Sequence, residues 1–305
     1  MNFVLATRSS ALALWQAREV ARALLECDAH AAVALLELKA SADVDTTTAL
    51  ERFGRTALFT AEVDRAVLDR RASAGVHSLK DAMTTLEPGL ELVAVLARGP
   101  VEDALVTRDG RGIDDLEHGA RIATGSLRRA ALLRAARPDL ELAPLRGNVA
   151  TRLSKIGHAG IDGIVMARAA LVRLELDHLP HSVLPPERFV PAVCQGIVGV
   201  VARADDKDAA QRFGALSHSE TFALATAERA FLRALRGGCN VPAGGWARLC
   251  GGGIELRGTV LSPDGSRSVD AVMSGPLDAA ETLGTTLAQQ LLSEGAGELL
   301  ALARP

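Results

Sequence analysis

Phe3-Val4-Leu5-Ala6-Thr7-Arg8-Ser9-Ser10-Ala11-Leu12-Ala13-Leu14 opens the chain and decides its fold class. The first four residues are a short, continuously apolar run of the kind that fills a buried strand. Small polar residues follow, and then a helical pattern runs from Ala11 to Glu26 with Ser9 or Ser10 as N-cap. Val33 to Leu38 reads as a second strand, which closes a βαβ unit. A strand feeding a helix N-terminus leaves free amides and the positive end of a dipole, so the turn at Arg8 is a natural anion site.

The same sentence is written again further along. Gly75-Val76-His77 is a strand ending in Ser78-Leu79-Lys80-Asp81, after an amphipathic helix over Thr60 to Arg71 with Val63, Ala66 and Val67 facing inward. Arg121-Ile122-Ala123 is a strand running into Thr124-Gly125-Ser126-Leu127-Arg128-Arg129. Leu140 to Leu145 ends in Arg146-Gly147-Asn148, with Arg152 on the helix beyond, and Ile161 to Met166 is followed by Arg168 and Arg173. In open α/β sheets ligands gather at the carboxyl ends of the strands. Adjacent arginines at a helix start oppose the macrodipole, so Arg128 and Arg129 call for an anionic partner. Arg8, Arg128, Arg129, Arg146 and Arg152 at equivalent points predict a cleft for a ligand carrying several carboxylates, which guanidinium groups grip bidentately.

Ile197 to Ala202 reads as a strand crossing back to the first block, which makes the first domain discontinuous. A long helix, Ser219 to Leu235, ends at Gly237-Gly238-Cys239-Asn240-Val241-Pro242, which predicts a left-handed stop at glycine and a cysteine on a loop. Three strand-like runs follow, at 244–250, 254–261 and 266–273, with Pro263-Asp264-Gly265 as a hairpin turn, and helices over 277–293 and 296–303 close the chain. The expected fold is α/β: two α/β domains, the first discontinuous, plus a C-terminal α+β domain. The expected boundaries are 1–96 with 197–216, 97–196, and 217–305. The polar stretch 40–58, with its run of three threonines, reads as a loop.

Composition removes several function classes. The chain has 305 residues, 48% hydrophobic, which supports large cores. Aromatic content is 3% with no tyrosine, and the net charge is -3, so neither base stacking nor a global basic surface points to nucleic acid. The four cysteines (27, 194, 239 and 250) lack a C-x-x-C spacing, which argues against zinc or a disulfide framework. No leader pattern or membrane-length apolar run is visible, so a cytoplasmic protein without metal or membrane partner is expected.

Five blocks together resemble the hydroxymethylbilane synthase (porphobilinogen deaminase) family. They are Ala6-Thr7-Arg8-Ser9-Ser10-Ala11-Leu12-Ala13-Leu14-Trp15-Gln16, His77-Ser78-Leu79-Lys80-Asp81, Gly125-Ser126-Leu127-Arg128-Arg129, Leu145 to Lys155, and Gly237-Gly238-Cys239 with Val241-Pro242, in the family's order. The resemblance implies an enzyme of tetrapyrrole (porphyrin and haem) biosynthesis. It would join four porphobilinogen molecules head to tail with loss of ammonia, on a dipyrromethane primer held by a thioether, and then release the product by hydrolysis. By match, Cys239 holds the primer, Asp81 is catalytic, and Lys80, Ser126, Arg128 and Arg129 bind the cofactor. Arg8, Ser10, Arg146, Arg152 and Arg173 bind substrate. The resemblance also implies a monomer whose fold is α/β, two periplasmic-binding-protein-like α/β domains plus a C-terminal α+β domain, with the active site between the two α/β domains.

The chain departs from the family pattern at several points. A family lysine falls on Thr56 within Arg55-Thr56-Ala57-Leu58-Phe59, an arginine is lost within Pro100-Val101-Glu102-Asp103, and Cys194 stands where the family has glycine. Two other readings therefore stay open: a diverged paralogue that elongates poorly, and a non-catalytic module that binds a polycarboxylate.

Overall fold

The computed structural model describes residues 2–28, 30–38, 60–236 and 241–303. The chain divides into two compact units, Met1–Gly99 with Gly196–Ala223, and Pro100–Gln195 with Leu224–Pro305.

In the first unit β1 (Asn2–Arg8) leads through Ser10, whose side chain accepts from Ala13 N–H, into α1 (Ala11–Cys27) and on to β2 (Ala32–Leu38). β2 pairs parallel to β1, as the βαβ pattern predicts. A helix over 60–68, here α2, precedes β3 (Ala74–Ser78), the short 3-10 turn Leu79–Asp81, and β4 (Leu90–Val95). The sheet order is β2-β1-β3-β10-β4, where β10 (Val198–Arg203) is the returning strand. α6 (Lys207–Gly214) follows it.

Both faces of this sheet are covered, which is why its strands read as apolar runs without alternation. Phe3 and Leu5 point to the α1 and α6 side with Ala17, Val20, Leu24 and Phe213. Ala6 and Val201 point to the α2 side with Val63, Ala66 and Val67. Phe3 and Phe213 meet edge to face at 5.4 Å between centroids, a geometry worth roughly 0.5–1.5 kcal/mol beyond burial.

The second unit repeats the arrangement. β5 (Asp103–Thr107), β6 (Arg121–Thr124), β7 (Glu141–Pro144), β8 (Gly163–Ala167) and β9 (His181–Leu184) form a sheet of order β7-β6-β8-β5-β9. α3 (Leu127–Ala136), α4 (Val149–Leu153) and α5 (Arg168–Arg173) follow β6, β7 and β8 respectively. The two orders match position for position, with β10 and β5 in the equivalent slot. Both of those strands run antiparallel to their neighbours, so each sheet is mixed, not purely parallel. β9 has no counterpart in the sequence reading: its Val183-Leu184 pair is too short to announce a strand, and it forms by pairing with β5.

A third sheet, β11 (Ala243–Cys250), β12 (Gly253–Leu261) and β13 (Ser268–Gly275), is an antiparallel meander. The helices α7 (Ser219–Ala234), α8 (Ala280–Leu291) and α9 (Gly297–Leu302) accompany it, giving the C-terminal α+β domain. Its β12–β13 turn seats on α3, where Arg134 Nη1 donates to the Pro263 carbonyl at 2.7 Å. The left-handed residue that ends α7 is Arg236 (φ 51), one position before the glycines the sequence pointed to. None of the described helices is long and apolar enough to cross a membrane.

Candidate functional site

Arg8, Ser10, Lys80, Asp81, Ser126, Arg128, Arg129 and Arg146 fall at or just after the carboxyl ends of parallel strands, while Arg152 lies on α4 and Arg173 ends α5. In the first unit, the β1 end supplies Arg8 and Ser10, and the β3 end supplies Ser78, Lys80 and Asp81. Arg8, Ser10 and Asp81 line one cavity of about 80 Å³, together with Gln16, Thr60, His77 and Ser78. Lys80 is half-buried in the turn beside it but is not part of the wall. Asp81 is exposed. The α1 N-terminus adds its dipole to this cavity, and the Ser10 hydroxyl already serves the Ala13 N–H at 3.4 Å.

Sequence reasoning missed two members of this wall. Gln16 Nε2 donates to Ser78 Oγ at 2.7 Å, and Ser78 Oγ donates back to Gln16 Oε1 at 3.1 Å. His77 places Nε2 2.9 Å from Asp64 Oδ1, with both side chains buried. Each lay in a quoted block or beside one; nothing in the spacing marked it.

In the second unit Ser126 caps α3, with Oγ accepting from Arg129 N–H at 3.4 Å. Arg128 and Arg129 do find an anion, and it is internal. Asp103, at the start of β5, accepts from Arg128 Nη2 at 2.8 Å on one oxygen, and from Arg129 Nη2 at 2.7 Å and Gln195 Nε2 at 2.8 Å on the other. The Val190 and Val165 carbonyls take one further bond from each arginine. Arg128 and Arg129 are 3% and 8% exposed.

Burial alone pushes the Asp103 carboxyl up, but the two guanidinium charges, with the Arg129 and Gln195 hydrogen bonds, outweigh it and hold the group well below the usual carboxylate range. Burial pulls the Arg128 guanidinium down, against the opposing pull of Asp103. Two positive charges share one negative, so the cluster keeps one positive charge at a helix N-terminus.

The remaining arginines differ in exposure. Arg146 is exposed on the loop after β7, and its carbonyl accepts from Lys155 Nζ at 3.2 Å. Arg152 is half-buried, with Nε donating to the Gly147 carbonyl at 2.7 Å. Burial lowers the Arg173 guanidinium to about 10. The loops carrying Ser126 and Arg146 interlock: a Cβ on Gly125 would stand 2.5 Å from the Leu145 carbonyl oxygen, so only glycine lets β6 and β7 end side by side. Cys239 and the loop at 40–58 lie outside the described residues. Among the described residues no cluster of His, Cys, Asp and Glu has the makings of a metal site.

Two mixed α/β sheets carry cationic and hydroxyl side chains at or just after their strand ends, and a three-stranded antiparallel sheet with its helices follows. The model of the porphobilinogen deaminase dipyromethane cofactor binding domain matches residues 3–211, and that of the porphobilinogen deaminase C-terminal domain matches 222–293. The chain belongs to the porphobilinogen deaminase family, whose members are transferase-type enzymes of tetrapyrrole synthesis with a dipyrromethane cofactor. Among solved structures the chain is similar to a YaeC-family lipoprotein from Enterococcus faecalis (12% identity, 72% of this chain and 93% of that one, TM-score 0.43). It is also similar to a periplasmic binding protein of Salmonella typhimurium with high arginine specificity (12% identity, 70% and 91%, TM-score 0.41). YhfZ from Shigella flexneri gives 17% identity over 75% of this chain and 93% of that one, TM-score 0.38.

Proposed function

We propose that the protein is a hydroxymethylbilane synthase. The observation that supports this most is the cavity of the first unit, where one acid, Asp81, stands among Arg8, Ser10, Gln16 and Ser78. The donor set fits a dipyrromethane: its acetate and propionate arms need cationic and hydroxyl partners, and its pyrrole N–H groups need an acceptor. When bound through a thioether to Cys239, that group supplies a nucleophilic pyrrole carbon on which the product is built.

The chain's own residues then have distinct tasks. Arg8 and Ser10 receive substrate carboxylates at the positive end of α1, and Arg146, Arg152 and Arg173 are likewise assigned to substrate carboxylates. Arg128 and Arg129, which hold one positive charge more than Asp103 cancels, are assigned with Ser126 and Lys80 to the cofactor's acid groups. Asp81 accepts from the pyrrole N–H of porphobilinogen. Departure of the substrate's protonated amine as ammonia breaks its C–N bond and leaves a cation on the pyrrole; the Asp81 carboxylate stabilises that charge. Asp81 would also take up the proton released when the new C–C bond forms. The reading carries with it a cytoplasmic monomer that needs no metal.

Asp81→Ala tests it. Porphobilinogen consumption is expected to fall by at least about a hundredfold, in the range a positioned acid–base group contributes, while the protein still folds. Turnover within a few-fold of wild type removes Asp81 from the chemistry.

A further inference from the structure

We propose that His77, seated by Asp64, is a positioning residue for the strand end that carries Ser78 and Asp81. The inference rests on the function proposed above and adds a role to a pair that function leaves idle.

The placement of the pair is specific. Consecutive residues of β3 face opposite sides of the sheet. Ala74 and Val76 belong to the core on the α1 side, so Ser78 faces α1, where it exchanges two hydrogen bonds with Gln16. Gly75 and His77 face α2. There His77 Nε2 stands 2.9 Å from Asp64 Oδ1, with side-chain exposures of 4% and 9%. The last two residues of β3 therefore meet polar partners on both faces of the sheet, Ser78 by hydrogen bonds to Gln16 and His77 by an ion-pair approach to Asp64 without hydrogen-bond alignment, immediately before the turn Leu79–Asp81. His77, Ser78 and Asp81 all line the same cavity.

The sequence makes room for this contact. A Cβ on Gly75 would lie 2.9 Å from Val63 Cγ1 and 3.2 Å from His77 Nε2. Any larger residue there would push α2 off the sheet and the imidazole out of its slot, and Asp64 would lose its reach. A buried carboxylate needs a partner, and among the described residues the ion-pair contact of Asp64 Oδ1 is His77 Nε2 at 2.9 Å, a close approach whose alignment does not complete a hydrogen bond. Misplacing a reacting group by about 1 Å can reduce a rate by about a hundredfold, and the turn after β3 is where such an error would be felt.

The experiment measures kcat, KM and the thermal midpoint of the full-length, cofactor-loaded protein for His77→Asn, His77→Gln and Asp64→Ala. Gln brings an amide nitrogen to about where Nε2 stands; Asn reaches only as far as Nδ1. The expected result is a kcat loss of about 10- to 100-fold for His77→Asn and Asp64→Ala with KM within about threefold. His77→Gln should recover kcat to within about threefold of wild type, and His77→Asn combined with Asp64→Ala should be no worse than either alone. If one variant fails to fold, the other carries the measurement. A wild-type protein that converts porphobilinogen, with kcat of His77→Asn and Asp64→Ala within twofold of it, overturns this inference alone, as does a loss that Gln does not repair. A wild-type protein that does not convert porphobilinogen overturns the proposed function and this inference with it.

Discussion

Replacing Asp103 by Asn tests the electrostatic core of the second unit. The wild-type carboxylate accepts three hydrogen bonds, from Arg128, Arg129 and Gln195, at 2.7–2.8 Å. An amide keeps one oxygen. If that oxygen faces Arg129 and Gln195, the new NH2 confronts Arg128 Nη2 across 2.8 Å, donor against donor; the opposite orientation confronts two donors. Either way two buried guanidinium groups lose their counter-charge. Removing one partner from a buried pair costs about 3–5 kcal/mol. In a cooperative unit of this size that is a drop of roughly 6–20 °C in thermal midpoint, read by calorimetry on apoprotein so that cofactor binding does not contribute.

The pH dependence follows from the lowered Asp103 carboxyl. A group depressed in the folded state stabilises fully above its unfolded value, near about 3.9, and loses that contribution as pH falls through the folded value. The deficit of Asp103→Asn should therefore be largest at neutral pH and shrink below about pH 4. Adding Arg128→Met to Asp103→Asn removes one of the two uncompensated charges and should restore part of the loss, a coupling of about 0.5–3 kcal/mol. A shift below about 2 °C for Asp103→Asn, or strict additivity of the double variant, would refute the reasoning.

Cys194 is buried with φ 60, in the left-handed region where the family has glycine. Cys194→Gly relieves about 1–2 kcal/mol of backbone strain but loses a buried thiol and gains unfolded-state entropy, so stability should stay within about 1 kcal/mol of wild type by denaturant titration. Cys194→Val puts a β-branched residue in the same conformation and should cost about 2 kcal/mol or more by the same measurement. Gly125→Ala forces a Cβ to within 2.5 Å of the Leu145 carbonyl oxygen, and should lower stability by about 1–3 kcal/mol in thermal unfolding.

Much of this architecture was legible because its signals are local. Strand, small polar turn and capped helix recur four times, and each cap or turn residue sits where its backbone needs it, as at Ser10 and Ser126. Strand direction is not local. β10 and β5 carry the same apolar runs as their parallel neighbours, and only pairing makes them antiparallel.

The arginines show the same limit. Arg128 and Arg129 announced a missing anion through their helix position, but the anion that answers, Asp103, stands at the start of β5, about 25 residues earlier in the chain. His77 and Asp64 stand on different elements, and the glycine that lets them meet looks in sequence like any other small strand residue. Arg236, just after α7, is left-handed (φ 51), while Gly237 and Gly238, which the sequence pointed to, lie outside the described residues.

The central claim is that Cys239 tethers an oligopyrrole whose acid arms the arginines hold. Intact-mass spectrometry of protein expressed in a host that makes porphobilinogen tests it most directly. The account predicts a mass above that of the sequence by one dipyrromethane, lost in Cys239→Ser and restored to apoprotein by incubation with porphobilinogen. An unmodified mass in the wild type, or the same adduct in Cys239→Ser, would contradict it.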